Sequence, residues 1–198
     1  MSAQFDVIER TQYLSFHIAG EEYAVPVLRV KEIIEYETMT RVPATPPAIR
    51  GVINLRGSVV PVVDLALKFG LAETLITKWT CVVIVELVQE GEQVVMGVMA
   101  DSASEVLELS DSDLMEPPSF GTHVHVDYLL GMAKSGRRFT LILDIDRLLS
   151  REELMKAHSL IADGVPRDTT NADFDGEENE TGDTEERSAS GFEAALCD

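Results

Sequence analysis

The chain of 198 residues is 45% apolar and 26% charged, and 35 acidic against 16 basic side chains give a formal charge of −19. Such a length can bury roughly two thirds of its unfolded surface in one domain or two small ones, so no covalent staple is required, and Cys81 and Cys197 alone are too few for a disulfide framework or a thiolate metal cage. The charge excludes a nucleic-acid partner, since phosphate binding rests on Lys and Arg; the lack of an apolar signal core in residues 1–10, and of any run near the ~20 apolar residues of a membrane span, predicts a reducing cytoplasm with no membrane insertion.

The elements read as short strands. Tyr13 to Ala19 alternates, Gly20-Glu21-Glu22 turns, and Tyr23 to Val27 returns, which is a hairpin pattern. Val30 and Ile33 stand three apart on a segment that suits a short helix or an extended strand, and either a core or a docking face. Gly51 to Leu55 and Val59 to Val63 are joined by the turn Arg56-Gly57-Ser58; Pro61, lacking a ladder donor, places its strand at an edge or a bulge. Ala66 to Phe69 gives one helical turn ended by Gly70, and the polar stretch Ala72 to Lys78 is a crossover. Thr80 to Leu87, Val94 to Met99, Glu105 to Leu109 and Phe139 to Leu143 are further β-branched runs, with a turn at Gln89 to Gln93. One long helix is expected over Asp146 to His158, with Ser150 and Glu153 spaced as a capping box. From Asp163 onward, 12 acidic residues against Arg167 and Arg187 carry more than half the charge excess with few large apolar side chains, so residues 159–198 are expected to be a disordered acidic tail. Phe192, Ala194, Ala195 and Leu196 near its end allow either a solubilising tail or a tether for a further partner.

Two halves carry the same marks in the same order. Gly51 and Asp64 reappear as Gly131 and Asp144, 80 residues on; Gly20-Glu21-Glu22-Tyr23 parallels Gly91-Glu92-Gln93-Val94 at an offset of 71; Glu32-Ile33-Ile34-Glu35 parallels Glu105-Val106-Leu107-Glu108 at an offset of 73. Two similar β units, over residues 11–75 and 76–158, packed around a groove, account for this.

A search for chemistry yields no catalytic set. Neither a nucleophile elbow nor a phosphate loop is present. His123 and His125 would share a strand face but lack companion ligands. Asp144 and Asp146 could hold a cation in another setting, yet their place before a helix suits capping. His17 fits the outward face of a strand, and Trp79 a core or an interface. No metal, cofactor or enzyme activity is expected, which leaves sheet edges and the groove as binding surface. Arg56, at the turn, is free to pair with a carboxylate, and Glu32 in the facing segment is its expected partner.

The run from Gly51 to Leu65, GVINLRGSVVPVVDL, resembles the CheW family of chemotaxis coupling proteins. Glu22 to Val27, Val30 to Ile33, Val42 to Pro46, Val106 to Leu109, and Leu141 to Asp144 with Leu148-Leu149 extend the likeness over about residues 11–157. The resemblance implies a mainly β fold of two SH3-like five-stranded barrels. It implies a non-enzymatic adaptor, at receptor arrays in the cytoplasm, joining the hairpin tip of a methyl-accepting chemoreceptor to the regulatory domain of the histidine kinase CheA. Carried over by position, receptor contact falls on Val30, Glu32, Ile33, Asn54, Arg56 and Val106, and kinase contact on Phe120 and exposed strand edges. The alternatives are a paralogue serving another chemosensory pathway, gliding or pilus, and a small β-barrel metalloprotein built on His123 and His125.

Overall fold

The computed structural model describes residues 10–89, 91–117, 124–135, 138–150, 152–153 and 155–156. The expected acidic tail lies outside the described residues. Among the described residues eleven strands follow in chain order: β1 (Arg10–Ile18), β2 (Glu21–Pro26), β3 (Val30–Glu35), β4 (Ile49–Leu55), β5 (Ser58–Asp64), β6 (Cys81–Gln89), β7 (Glu92–Ala100), β8 (Ser102–Ser110), β9 (Leu114–Met115), β10 (Leu129–Ser135) and β11 (Arg138–Leu143). The α-helix α1 (Leu65–Lys68) and 3-10 turns at Val27–Arg29 and Ile145–Arg147 are among the connections. The hairpins β1–β2 and β4–β5 close on Ala19-Gly20 and Arg56-Gly57, all four at positive φ, as two-residue turns matched to strand twist require.

The strands form a six-stranded sheet in the order β8-β1-β2-β11-β10-β9 and a five-stranded one in the order β3-β6-β7-β5-β4. The two orders are the same order. β3 corresponds to β8, the hairpin β6–β7 to β1–β2, and β4–β5 to β10–β11, while the lone bridge Thr40 to Val52 stands where the short β9 stands. The irregularities correspond too: the register slips beside Gly51 and beside Gly131, and again near Lys31 on β3 and Ser104 on β8. In each unit one pair is parallel, β2 with β11 and β5 with β7.

Each sheet therefore mixes the two halves of the sequence: β1–β2 sits beside β10–β11, and β6–β7 beside β4–β5. The division at residues 75 and 76 marks the repeat along the chain but not the sheets. The reason lies in the connections. A parallel neighbour requires a crossover, and the one through α1 and residues 69–80 returns β7 alongside β5, whereas Val27–Arg29 and Asp101 lead directly from one sheet into the other. Nor is β5 an edge strand. Pro61 is accommodated because pairing with β7 begins one residue later, at Val62.

Packing follows the alternation. Val62, Val82, Ile84 and Met99 fill the five-stranded unit, and Tyr13, Ala24, Ala133 and Ile142 the six-stranded one. Their neighbours Val63, Val83, Val85 and Val98 point the other way, into a far larger shared cluster with Phe16, Tyr23, Leu141 and Leu143. The unbroken apolar run of β6 is thus buried on both faces. Asp64 is fully buried: Oδ1 accepts from the Ala66 amide at 3.0 Å and the Thr74 hydroxyl at 2.9 Å, and Oδ2 from the Thr74 amide at 3.0 Å. One carboxylate caps α1 and pins the crossover. Asp144, its repeat counterpart, accepts from the Asp146 amide. The single helix expected from Asp146 is interrupted: residues 145–147 are a 3-10 turn, and helical backbone resumes at 152–153 and 155–156 after the Ser150–Glu153 box. Glu153 also takes two bonds from the Lys68 ammonium, at 2.6 and 2.7 Å.

A Cβ at Gly51 would lie 2.5 Å from the Thr40 carbonyl oxygen, a backbone atom with little room to yield. Gly51→Ala is expected to cost about 2–3 kcal/mol in urea unfolding, in the upper part of the overpacking range. Burial pushes the Glu153 carboxyl up, but the Lys68 ammonium and the Ser150 bonds outweigh it and hold it below the ordinary glutamate range. A carboxyl depressed on folding contributes stability that is complete above its unfolded pKa and lost as pH falls through its folded one. Between about pH 5 and 3 the wild-type chain should lose more unfolding free energy than Glu153→Gln, a slope readable from denaturant titrations at several pH values.

Candidate functional site

The candidate residues sit at the margins of the sheets. β3 and β4 are the two edges of the five-stranded sheet, and Arg56 stands at the tip of the hairpin that leaves β4. Its Nη2 donates to Glu32 Oε2 of β3 at 2.9 Å, so the expected pair forms and spans the opening between the edges. Arg56 is itself left-handed, at φ +53°. An arginine where Asn or Gly is preferred stores strain of order 1 kcal/mol. Asn54 relieves the turn, its Oδ1 accepting from the Gly57 amide at 2.8 Å.

Along β3 the exposure alternates. Val30 is half-buried against the shared cluster, Glu32 and Ile34 are half-buried, and Ile33 faces outward at 43% exposure. Val106, 51% exposed, is on β8 in the other sheet, paired with Leu14 of β1. Ile33 and Val106 are thus one position of the repeat, each an outward apolar side chain on an edge strand. The structure joins Glu32, Arg56 and Asn54 at one end of the first sheet and sets Val106 on the matching strand of the second.

A family description, the CheW-like domain, matches residues 12–153. The chain belongs to the CheW family. It is 36% identical to the chemotaxis protein CheW of Klebsiella aerogenes over 72% of this chain and 84% of that one. It is 34% identical to CheW of Bacillus subtilis, covering 72% and 88%. Similarity extends to the protein FrzA of Myxococcus xanthus, at 29% over 70% and 84%. Among solved structures, the scaffolding protein TtCheW from Thermoanaerobacter tengcongensis superposes with a TM-score of 0.66 at 26% identity, covering 77% of this chain and 96% of that one. The fold of two like β units is that of a CheW scaffold.

Other residues fall as follows in this CheW-family chain. Phe120 and His123 lie outside the described residues. His125 is an exposed ring 3.4 Å from the Asp127 carboxylate, and no group of three metal-ligating side chains occurs among the described residues. Trp79 is not core: it is 67% exposed, with the Lys78 ammonium 4.8 Å from its ring centre. Asp146 is not a simple cap, since its side chain reaches Arg29 and the Val88 amide. Sequence reading also passed over Leu28, 94% exposed at the apex of the turn between β2 and β3. A three-residue turn has no period to betray it; only the Pro26 before it marks the break.

The Glu32–Arg56 pair is too exposed to hold the fold, with Arg56 81% open to solvent. A double-mutant cycle with Glu32→Ala and Arg56→Ala should return a coupling of about 0.5 kcal/mol or less in chemical unfolding.

Proposed function

We propose that this member of the CheW family is a non-enzymatic adaptor that couples the hairpin tip of a chemoreceptor to the regulatory domain of the histidine kinase CheA, in the cytoplasm at receptor arrays. The observation that carries the reading is the repeated exposed apolar position, Ile33 and Val106, on two edge strands, with the strained, outward Arg56 beside the first. Apolar side chains held on rigid edges and bordered by one guanidinium suit a helical partner bearing apolar anchors and a carboxylate. Val30, Glu32, Ile33, Asn54, Arg56 and Val106 are assigned to the receptor, Phe120 to the kinase. Asp64 and Asp144 are engaged in capping, and Asp146 and Glu153 in ion pairs. A second reading is the same adaptor role in a paralogous chemosensory pathway, with another receptor set.

Titration of the full chain against a receptor-tip hairpin and, separately, a CheA regulatory domain should give micromolar binding to each, about −8 kcal/mol. Ile33→Asp and Val106→Asp should each weaken the tip complex by about tenfold or more while leaving unfolding free energy within roughly 0.5 kcal/mol. Equal tip affinity in all three proteins would remove the assignment. Tips from different chemosensory systems, compared in the same titration, separate the two readings.

A further inference from the structure

β3 covers only part of β6. Pairing runs from Cys81 to Val85 and stops, so among the described residues Glu86 to Gln89 have no strand on that side. Side chains fill the place. The Arg29 guanidinium donates to the Glu86 carbonyl through Nη1 at 3.5 Å, and through Nη2 to Asp146 Oδ2. Asp146 Oδ1 accepts from the Val88 amide at 2.7 Å. A carbonyl at residue 86 receiving a donor and an amide at residue 88 finding an acceptor are the bonds an antiparallel strand would have supplied. Lys31 pairs with Glu86, and the Gln89 side chain donates through Nε2 to the Leu149 carbonyl at 2.9 Å, closing the rest of the edge.

The two charged partners come from opposite units. Asp146 follows β11 of the six-stranded sheet, while Arg29 ends the turn that enters β3 of the five-stranded one. Just past Arg29 the β3 register slips, between Val30 and Glu32. That slip decides which β3 side chains face outward, because a one-residue shift inverts the pattern. The same turn extends Leu28 almost wholly into solvent.

We propose that Asp146 is a positioning residue for the docking face: together with Arg29 it substitutes for a missing strand on β6, and through Arg29 it fixes the turn and bulge that present Leu28, Val30 and Ile33. This rests on the receptor-docking reading above, but its first measurement does not. Amide hydrogen exchange on the full chain compares wild type with Asp146→Ala, Asp146→Asn and Glu153→Gln, the last removing an ion pair elsewhere. Asp146→Ala should accelerate exchange at Val88 and across residues 29–31 by about tenfold. Asp146→Asn keeps an acceptor for Val88 and loses the charge on Arg29, so exchange should rise at 29–31 alone. Glu153→Gln should leave both unchanged. Affinity for a receptor-tip hairpin should fall about fivefold in both Asp146 variants and not in Glu153→Gln. Unchanged exchange at 29–31 in both Asp146 variants, or tip affinity that tracks global unfolding across all three variants, overturns the proposal. If wild type binds no tip fragment, the docking reading fails, and exchange at 29–31 still decides the positioning.

Discussion

The structure depends on an exchange of hairpins. Neither sheet is complete without two strands from the other half of the chain, and the parallel pairs β2–β11 and β5–β7 are where the exchange is made. Parallel neighbours cannot be joined by a tight turn, so every such pair commits distant parts of the chain to each other. The shared apolar cluster follows from it. Strands of both units turn one face to a small interior and the other to the common seam, and the seam holds most of the buried apolar side chains. Two units this small would have marginal cores by themselves, and the exchange removes the question, because neither exists as a separate body.

Edges are the natural by-product. Each open sheet order leaves two margins, and the molecule treats them differently. The β4 margin receives Thr40, admitted by the lack of a side chain at Gly51, and the β10 margin receives β9, whose Met115 carbonyl lies 3.1 Å from where a Gly131 Cβ would be. The end of β6 receives an ion pair. Among the described residues β3 and β8 stay open, and they carry the outward Ile33 and Val106. Closing most edges limits non-specific pairing, and the ones left bare are where a partner has something to grip.

Much of this was legible in the residues. Local β patterns placed eight strands, because half-buried strands alternate and their turns require Gly. The repeat was legible through Gly51 and Gly131, whose spacing to an acid recurs for a physical reason: a bulge that needs close approach and a cap that needs a carboxylate. The Glu32–Arg56 pair followed from a turn opposite a charged strand. Sheet membership was hidden, since adjacency in sequence suggested units of contiguous chain and no local preference encodes which sheet a hairpin joins. Asp146 looked like a cap for the same reason: its partners, Arg29 and Val88, are 117 and 58 residues away. For Trp79 the residues left core and interface open, because an aromatic before an apolar run resembles either; its exposure, set by a turn at Thr77–Thr80 rather than by period, removes the core alternative.

The hairpin exchange also sets a timetable for synthesis. When the first hairpin leaves the ribosome, its parallel neighbour β11 has yet to be translated, more than a hundred residues downstream. The other sheet is finished first, as soon as β7 emerges. Until β11 arrives, the cluster that holds Phe16, Ile18 and Tyr23 lacks Leu141, Leu143, Ile145, Leu148 and Leu149. A nascent chain of this topology carries an unsatisfied apolar ribbon for most of its elongation, the condition under which holding chaperones are recruited.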